Sequence, residues 1–289
     1  MDTRKAGIRW TIGDVSDPGF EALELSIRSA RKLFGPGTRY VVCVNSIPLE
    51  LARERAGAAG REVEWVHSEN HVPPWLQSRL DTGMAEGVAW KLAPIRLFPD
   101  RYEISFDNDV ILWRVPDAMK RWLESSERES CLMAEDMQRS FGQFSDCCNG
   151  HAVNSGIRGL PPGFDLEERL QRKLRESQVV LRSELDEQGL QAAVLSQGAL
   201  TLVSKEDVSI CSPFPMHQQT LGRCGAHFVG LNQRNLPWTL EGRGAHEVIH
   251  ERWRAFKAKL TELVDGIPYP NCSESILGNG HYPTVKGDS

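Results

Sequence analysis

The amino-acid sequence predicts an α/β protein with a mixed, mainly parallel sheet flanked by helices, and three observations support this. In the first half of the chain, strand-like runs alternate with helical patterns, which is typical of parallel strands joined by helices. From residue 131 onward the strand-like runs suggest a mixed sheet. Near the end, one long amphipathic helix has an apolar stripe that is expected to pack against the rest of the fold.

The first half contains the predicted strands IRWTIGD at 8–14, RYVVCVN at 39–45, EVEWVH at 62–67 and RYEISF at 101–106. Between the first two, residues 18–34 are predicted to form a helix because apolar residues recur at helical spacing. Asp17 is the predicted cap of this helix, and a proline follows in its first turn. A second helix is predicted at 81–98 and ends at Pro99, since proline lacks the amide hydrogen that a helix needs.

The second half is predicted to complete the same domain. Its elements are strands at 131–136 and 152–160, a loop at 142–151, and helices at 165–178, 184–197 and 245–264. The last helix has an apolar stripe formed by Ile249, Trp253, Phe256, Leu260 and Leu263. Residues 271–289, rich in Gly, Pro, Asn and Ser, are expected to be an extended or frayed tail. No internal repeat or convincing linker divides the rest, so residues 1–270 are predicted to be one domain.

The composition excludes several classes of protein. With 289 residues and 40% hydrophobic content, the chain can bury a sizeable core. The 39 acidic and 34 basic residues form no long block of one sign, so nucleic acid is a poor candidate partner. The N-terminus lacks the apolar core of a secretion signal, and no stretch approaches the about 18 apolar residues of a membrane helix. Seven cysteines without a CxxC pair suit a reducing compartment, so a cytoplasmic location is expected.

The segment ISFDNDVIL at 104–112 places Asp107 and Asp109 at the end of the predicted fourth strand. Because alternate residues of an extended chain face the same way, both carboxylates can face a crevice at the carboxyl end of the sheet. Two like charges repel there, and a divalent cation with oxygen ligands removes that penalty. The segment therefore predicts a metal site, although a solvated Asp-Asn-Asp turn is an alternative interpretation.

Asp107-Asn108-Asp109-Val110 also fits the strand-end motif of haloacid-dehalogenase-type phosphatases. Those enzymes need a later acidic pair for Mg²⁺, typically in a Gly-Asp context on another strand. After residue 110 the only such dipeptide is Gly287-Asp288, in the predicted tail. The phosphatase hypothesis is therefore the weaker one.

The segment WKLAPIRLFPDRYEISFDNDVIL at 90–112 resembles GT-A nucleotide-sugar glycosyltransferases of the glycogenin and bacterial lipopolysaccharide galactosyltransferase type. In that family a helix with a basic residue precedes the strand that ends in the Asp-x-Asp metal motif. The resemblance implies that Lys91 lies near the donor, that Asp107 and Asn108 contact it, and that Asp107 and Asp109 hold the metal. AVNSGIRGL at 152–160 resembles the family's Asn-(Ala/Ser)-Gly segment.

The resemblance at 152–160 implies that Asn154, Ser155 and Gly156 contact the donor sugar. SELDEQGLQAAVL at 183–195 resembles a helix that opens with Asp-Gln-Asp, which implies a catalytic position for Asp186 beside the sugar hydroxyls or the reacting carbon. AHFVGLNQRNLPW at 226–238 resembles the His-x-x-Gly-x-x-Lys-Pro-Trp signature, which implies that His227 is the third metal ligand and that Gly230 belongs to the donor site.

The chain departs from the family pattern at several positions. Glu187 stands where the pattern has Gln, and Gln188 stands where it has an acid. Gln233 replaces the expected Lys, and Pro237-Trp238 come later than the pattern places them, so Arg234 is a candidate for the missing phosphate contact. These departures favour a distant relative with altered substrate choice, or a non-catalytic protein that binds a sugar nucleotide on the same fold.

Thr11 and Asp14 follow the first predicted strand, where this fold class contacts the base and the ribose, so they are candidate nucleoside ligands. Two carboxylates and an imidazole suit Mn²⁺, with Mg²⁺ as the alternative. The resemblance implies a nucleotide-binding half at about 1–115 and an acceptor half at about 116–270. It also implies transfer of a hexose, from UDP by preference, to an unknown glycan, lipid or protein acceptor, with retention of anomeric configuration.

Overall fold

The structure, a computed structural model, describes residues 6–68, 72–81, 89–148, 150–232 and 239–268. Its strands are β1 (Ala6–Ile12), β2 (Arg39–Val44), β3 (Glu64–His67), β4 (Tyr102–Asp107), β5 (Val110–Leu112), β6 (Cys131–Glu135), β7 (Val153–Leu160), β8 (Leu200–Val203), β9 (Val208–Ile210), β10 (Gly225–His227), β11 (Thr239–Leu240) and β12 (Arg243–Gly244). Its α-helices are α1 (Asp17–Phe34), α2 (Leu49–Arg55), α3 (Pro74–Gln77), α4 (Asp117–Glu124), α5 (Leu166–Ser177), α6 (Glu184–Leu195) and α7 (Ala245–Asp265). Short 3₁₀ helices occupy Ala59–Glu62, Ala89–Leu92 and Gly142–Cys147. The predicted tail at 271–289 lies outside the described residues, as do Gln233, Arg234 and Pro237-Trp238.

The central sheet has seven strands in the order β3-β2-β1-β4-β7-β6-β8. All adjacent pairs are parallel except those made by β7, which runs antiparallel to both β4 and β6. A second sheet has the order β5-β10-β9, and its strand β5 follows β4 directly in the chain. The prediction of a mixed, mainly parallel sheet flanked by helices is confirmed.

The two faces of β1 differ in polarity, and the polar face is the one on which the candidate site lies. Ile8, Trp10 and Ile12 lie in the main apolar core, where α1 contributes Phe20, Leu23 and Ile27 among others. Because side chains alternate along a strand, Arg9 and Thr11 face the opposite side of the sheet. One side of the sheet is therefore an apolar layer under α1, and the other side carries polar groups.

Two further cores complete the domain. One lies beneath α5 and α6 and includes Phe141 and Phe144 beside Leu170 and Leu190. In the other, Trp253 of α7 packs edge-on against Phe228 with ring centroids 5.2 Å apart. The helices predicted at 165–178, 184–197 and 245–264 are confirmed within a few residues at each end.

Two local predictions are wrong. The cap of α1 is Ser16, whose hydroxyl accepts a hydrogen bond from the Gly19 amide, while Asp17 lies in the first helical turn. Both residue types cap helices well, and an acid in the first turn still interacts favourably with the helix dipole. The helix predicted at 81–98 is also wrong over its described part, which contains only the 3₁₀ helix Ala89–Leu92. Pro94 explains this, because it lacks an amide hydrogen and disfavours a helical conformation in the residue before it.

No helix within the described ranges is both long enough and apolar enough to cross a membrane.

Candidate metal and donor site

The candidate site lies where the strand order of the central sheet reverses. From β1 the chain adds β2 and β3 on one side, whereas β4 lies on the other side of β1. The carboxyl ends of neighbouring parallel strands leave a crevice at such a reversal, and open α/β proteins bind ligands there. Thr11 of β1 is in register with Asp107 of β4, so both candidate residues reach this edge together.

Three side chains converge at the crevice. Asp107 ends β4, Asp109 follows in the turn to β5, and His227 ends β10, whose backbone pairs with Val110 of β5. His227 Nε2 lies 3.4 Å from an oxygen of Asp109 and 3.7 Å from an oxygen of Asp107. One ligand atom from each of the three residues lies within 4.8 Å of those from the other two. The structure thus brings together the three residues that the sequence predicted as metal ligands.

The electrostatics of this triad fit a divalent cation. Asp109 and His227 are buried, and neither Asp109 Oδ1 nor His227 Nδ1 has a hydrogen-bond partner among the described residues. Burial lowers the pKa of His227, but the carboxylates of Asp109 and Asp107 outweigh it and raise the pKa overall. Two close carboxylates and an imidazole therefore attract positive charge, and these donor types suit a metal that accepts both oxygen and nitrogen.

Gly156 allows the His227 ring to approach β7. A Cβ atom at this position would lie 2.3 Å from Cε1 and 2.6 Å from Nδ1 of the ring, far inside contact distance. The Asn154 side chain fixes the same part of β7, since its Oδ1 accepts from the Gly156 amide and its Nδ2 donates to the carbonyl of Glu135. That Asn154 and Gly156 touch the donor sugar stays a prediction.

Lys91 and Ser155 line the crevice beside the triad. Lys91 Nζ donates to Asp107 at 2.8 Å and lies 3.5 Å from the Ser155 hydroxyl. Burial alone would lower the pKa of Lys91, but the carboxylates of Asp107 and Glu187 raise it, so the amine stays charged. A fixed ammonium therefore stands next to the candidate cation site.

Three other predicted residues lie around the rim or behind it. Asp14 lies on the exposed rim, 3.5 Å from Arg55, and Gly230 has a φ of 87° in the turn after β10. Asn108 is buried, donates to the Gly19 carbonyl at 2.9 Å and exchanges hydrogen bonds with the Asn232 side chain. Asn108 thus fastens the metal-motif turn to the start of α1, which is a structural role.

The structure places Asp186 away from the crevice. Its carboxylate accepts hydrogen bonds from the amide and the side chain of Gln143 and from the Arg182 amide, each at 2.8 Å. These bonds hold the segment before α6 against the 3₁₀ helix Gly142–Cys147 and leave Asp186 buried away from the crevice lining. The next residue, Glu187, is the acid that α6 places near the site, with an oxygen 3.4 Å from the Ser155 hydroxyl.

The sequence reasoning missed two charged residues on the polar face of the sheet, Arg9 and Arg158, and gave no role in the site to Glu187 of α6. Arg9 and Arg158 line the same crevice as Lys91, and both are almost fully buried. The signal was present, because Arg9 and Arg158 interrupt the apolar runs of β1 and β7. Charged residues are rarely fully buried without a partner, so such interruptions deserve a functional interpretation.

Glu187 predicts an unusual dependence of stability on pH. Burial raises its pKa from 4.5 to about 7. Between these two values the folded state holds a proton that the unfolded state has lost, so the metal-free protein should lose stability as pH rises through this window. The side chain of Glu187→Gln is neutral at every pH. This variant should therefore melt above wild type by a larger margin at pH 8 than at pH 5. Melting curves of wild type and variant at pH 5 and pH 8 test this prediction. Glu184→Gln, on the exposed side of α6, is the control. Equal changes in the melting temperature of Glu187→Gln at the two pH values would contradict the prediction.

The fold agrees with comparisons to solved structures. The sequence itself matches no protein-family model and no protein of curated function. The galactosyltransferase LgtC, crystallised with donor and acceptor sugar analogs, aligns over 92% of this chain and 97% of its own with a TM-score of 0.56 and 11% identity. An active-site mutant of LgtC, with glutamate in place of glutamine, also aligns over 92% of this chain and 97% of its own, with a TM-score of 0.54 and 10% identity. The bifunctional glycosyltransferase WbbM aligns over 89% of this chain but only 51% of WbbM, with a TM-score of 0.50 and 13% identity.

These neighbours are GT-A-type glycosyltransferases, so the chain has a GT-A-type fold, as the sequence motifs predicted. At this level of identity the likeness establishes the fold, and function must be argued from the site.

Proposed function

We propose that this protein is a metal-dependent glycosyltransferase that moves a hexose from a nucleoside-diphosphate sugar, UDP by preference, to a glycan or other hydroxyl-bearing acceptor. The observation that carries the proposal is the convergence of Asp107, Asp109 and His227 at the strand-order reversal of a GT-A-type sheet. The crystallisation of LgtC with donor and acceptor sugar analogs supports the same substrate class.

In this proposal Asp107, Asp109 and His227 would hold Mn²⁺ or Mg²⁺. A bound cation of this kind neutralises negative charge that develops on a departing diphosphate, which lowers the barrier by several kcal/mol. The triad suits this task because its buried carboxylate oxygen and imidazole nitrogen are already close together. Such preorganisation avoids the cost of reordering the site during the reaction.

The residues around the triad would orient the donor. Lys91 supplies a fixed positive charge beside Asp107, where the diphosphate would arrive, and Ser155 offers a hydroxyl at the same wall of the crevice. Thr11 and Asp14, at and just after the end of β1, would meet the nucleoside. Glu187, rather than Asp186, is our candidate for the acid nearest the donor sugar, because its carboxylate contacts Ser155.

Titration calorimetry of the full chain with UDP, with and without Mn²⁺, tests the proposal. We expect UDP affinity to fall at least about tenfold when EDTA removes the metal, equivalent to about 1.4 kcal/mol. Slow release of free sugar from a UDP-hexose in the presence of Mn²⁺ is expected as well. Absence of metal-dependent UDP binding would refute the proposal.

The same experiment separates an enzyme from a protein that only binds a sugar nucleotide. Metal-dependent UDP binding without turnover of any UDP-hexose, with or without simple sugar acceptors, would favour the non-catalytic alternative. If transfer is found, the anomeric configuration of the first product by proton NMR tests retention, which follows at present only from the family resemblance.

A further inference from the structure

The crevice continues inward from the metal triad along the polar face of the sheet. It is narrow and partly open to solvent. Its described lining includes three cations, Arg9, Lys91 and Arg158, and one carboxylate, Asp107.

Two of these cations lie in one row across three neighbouring strands. Ser105 of β4 is in register with Arg9 of β1 and with Arg158 of β7. Asp107 and Thr11 form the next row on the same face, nearer the mouth. Two residues of strand separate the rows by about 6–7 Å, so the row Arg9–Ser105–Arg158 lies about one sugar ring deeper than the metal triad.

Few carboxylates lie near the guanidinium groups of the row Arg9–Ser105–Arg158, which is called the arginine row. Asp107 is already paired with Lys91 at 2.8 Å. Beneath the row, Glu103 is the nearest carboxylate, at 3.7 Å from Arg9 and 3.9 Å from Arg158, beyond hydrogen-bond distance in both cases. Its other oxygen accepts from two backbone amides, those of residues 97 and 98.

The hydrogen bonding of the row is also incomplete. Arg9 and Arg158 are 1% and 2% exposed, yet Arg9 Nη2 and Arg158 Nε have no hydrogen-bond partner among the described residues. Arg158 does donate to Ser105 and Gln191, which fix its position. Burial and the neighbouring Arg9 lower the pKa of Arg158 to about 10, against the opposing effect of Glu103 and Glu187. A buried guanidinium pair with spare donors and one shared carboxylate is stabilised by any anion that reaches it.

We propose that the row Arg9–Ser105–Arg158 binds the carboxylate of the donor sugar, so that the preferred donor is a nucleoside-diphosphate hexuronic acid and not a neutral hexose. This inference rests on the proposed function, because it assumes a sugar nucleotide held by the metal triad. A guanidinium pairs with a carboxylate through parallel hydrogen bonds, which gives both affinity and orientation. The carboxylate supplies the acceptors that the row lacks.

Calorimetry on the wild-type chain with Mn²⁺ tests the inference with matched ligands. UDP-glucuronate is compared with UDP-glucose, and UDP-galacturonate with UDP-galactose, because each pair differs only at C6 of the sugar. We expect at least one uronate to bind about 10–100-fold more tightly than its neutral partner, as expected for charge-assisted hydrogen bonds. Equal or weaker binding of both uronates, with UDP itself bound normally, would overturn the inference and leave the proposed function standing. Failure of UDP to bind would instead refute the proposed function.

Variants test whether Arg9 and Arg158 bind the carboxylate of the donor sugar. Arg158→Gln and, separately, Arg9→Gln should lose most of the uronate preference while their affinity for UDP, which carries no hexose, stays within about threefold of wild type. Arg96→Gln is the matched control, since Arg96 also approaches Glu103, at 3.7 Å, but is not part of the described crevice lining. A parallel loss of UDP affinity in the Arg158 and Arg9 variants would show that these residues contact the diphosphate and would overturn the inference. So would a preference that survives in both variants, or one that Arg96→Gln loses equally.

Discussion

Replacing Asp109 with alanine is expected to abolish the stabilisation of this protein by Mn²⁺ and, with it, metal-dependent UDP binding. Asp109 is the most deeply buried carboxylate of the triad and lies 3.4 Å from His227. At a metal concentration 100-fold above its Kd, binding stabilises a folded protein by about 2.7 kcal/mol. The wild-type melting temperature should rise accordingly with Mn²⁺, and that of Asp109→Ala should not.

The metal-free stability of this variant should change little. Asp109 Oδ1 has no hydrogen-bond partner among the described residues, so its truncation leaves no donor there without an acceptor. The backbone carbonyl of Asp109, which accepts from the Phe228 amide, is unaffected. Asp117→Ala, which removes an exposed acid at the start of α4, is the matched control and should keep the full Mn²⁺ shift. A normal Mn²⁺ shift in folded Asp109→Ala would exclude this residue as a metal ligand.

The sequence predicted the fold and the metal triad because both have local signals. Strands β1, β2 and β4 have apolar residues at the alternate positions that face the main core, and an acidic pair directly after such a strand has few structural explanations. His227 was harder to find, since it lies far along the chain from Asp107, and only the family resemblance connected the two. The structure supplies the physical link, which is the pairing of β10 with β5 immediately after the acidic turn.

The sequence did not predict the roles of residues whose direction depends on tertiary packing. Asp186 and Glu187 are neighbours on α6, and a rotation of about 100° per residue decides which one lies beside Ser155 of the crevice wall. Asp186 is held by Gln143, which belongs to a separate 3₁₀ helix that the sequence suggested only as a loop. The helix predicted at 81–98 is wrong for a related reason: its apolar spacing is helical, but Pro94 interrupts the helix.

The polar face of the sheet connects these observations. Glu103, the row Arg9–Ser105–Arg158 and the row of Thr11 and Asp107 follow one another from the interior to the crevice mouth. Burying charges in this way costs free energy, and a purely structural sheet would be at least as stable with apolar residues there. The retained charges are therefore best explained by a ligand that enters the crevice with its own anionic groups.

Gly156→Ala should produce the second large effect, a loss of metal affinity by at least about tenfold, without changing any ligand atom. The added methyl group would lie 2.3 Å from Cε1 of His227 and 3.0 Å from Oδ1 of Asn154, so the imidazole ring must move away from β7. The ring is buried beside Asp109, and a displacement of its Nε2 separates the nitrogen from the two carboxylates. Overpacking of this kind also costs about 1–3 kcal/mol of stability, which must be measured separately.

Gly159→Ala separates the two effects because it adds the same methyl group to the same strand. Its Cβ would lie 2.7 Å from Leu132 and from Trp122, in the apolar core and away from the triad. Both variants should therefore melt at lower temperature without metal, but only Gly156→Ala should bind Mn²⁺ more weakly in calorimetry. If folded Gly156→Ala binds Mn²⁺ as tightly as Gly159→Ala, then the position of the His227 ring does not control the metal, and His227 is not one of its ligands.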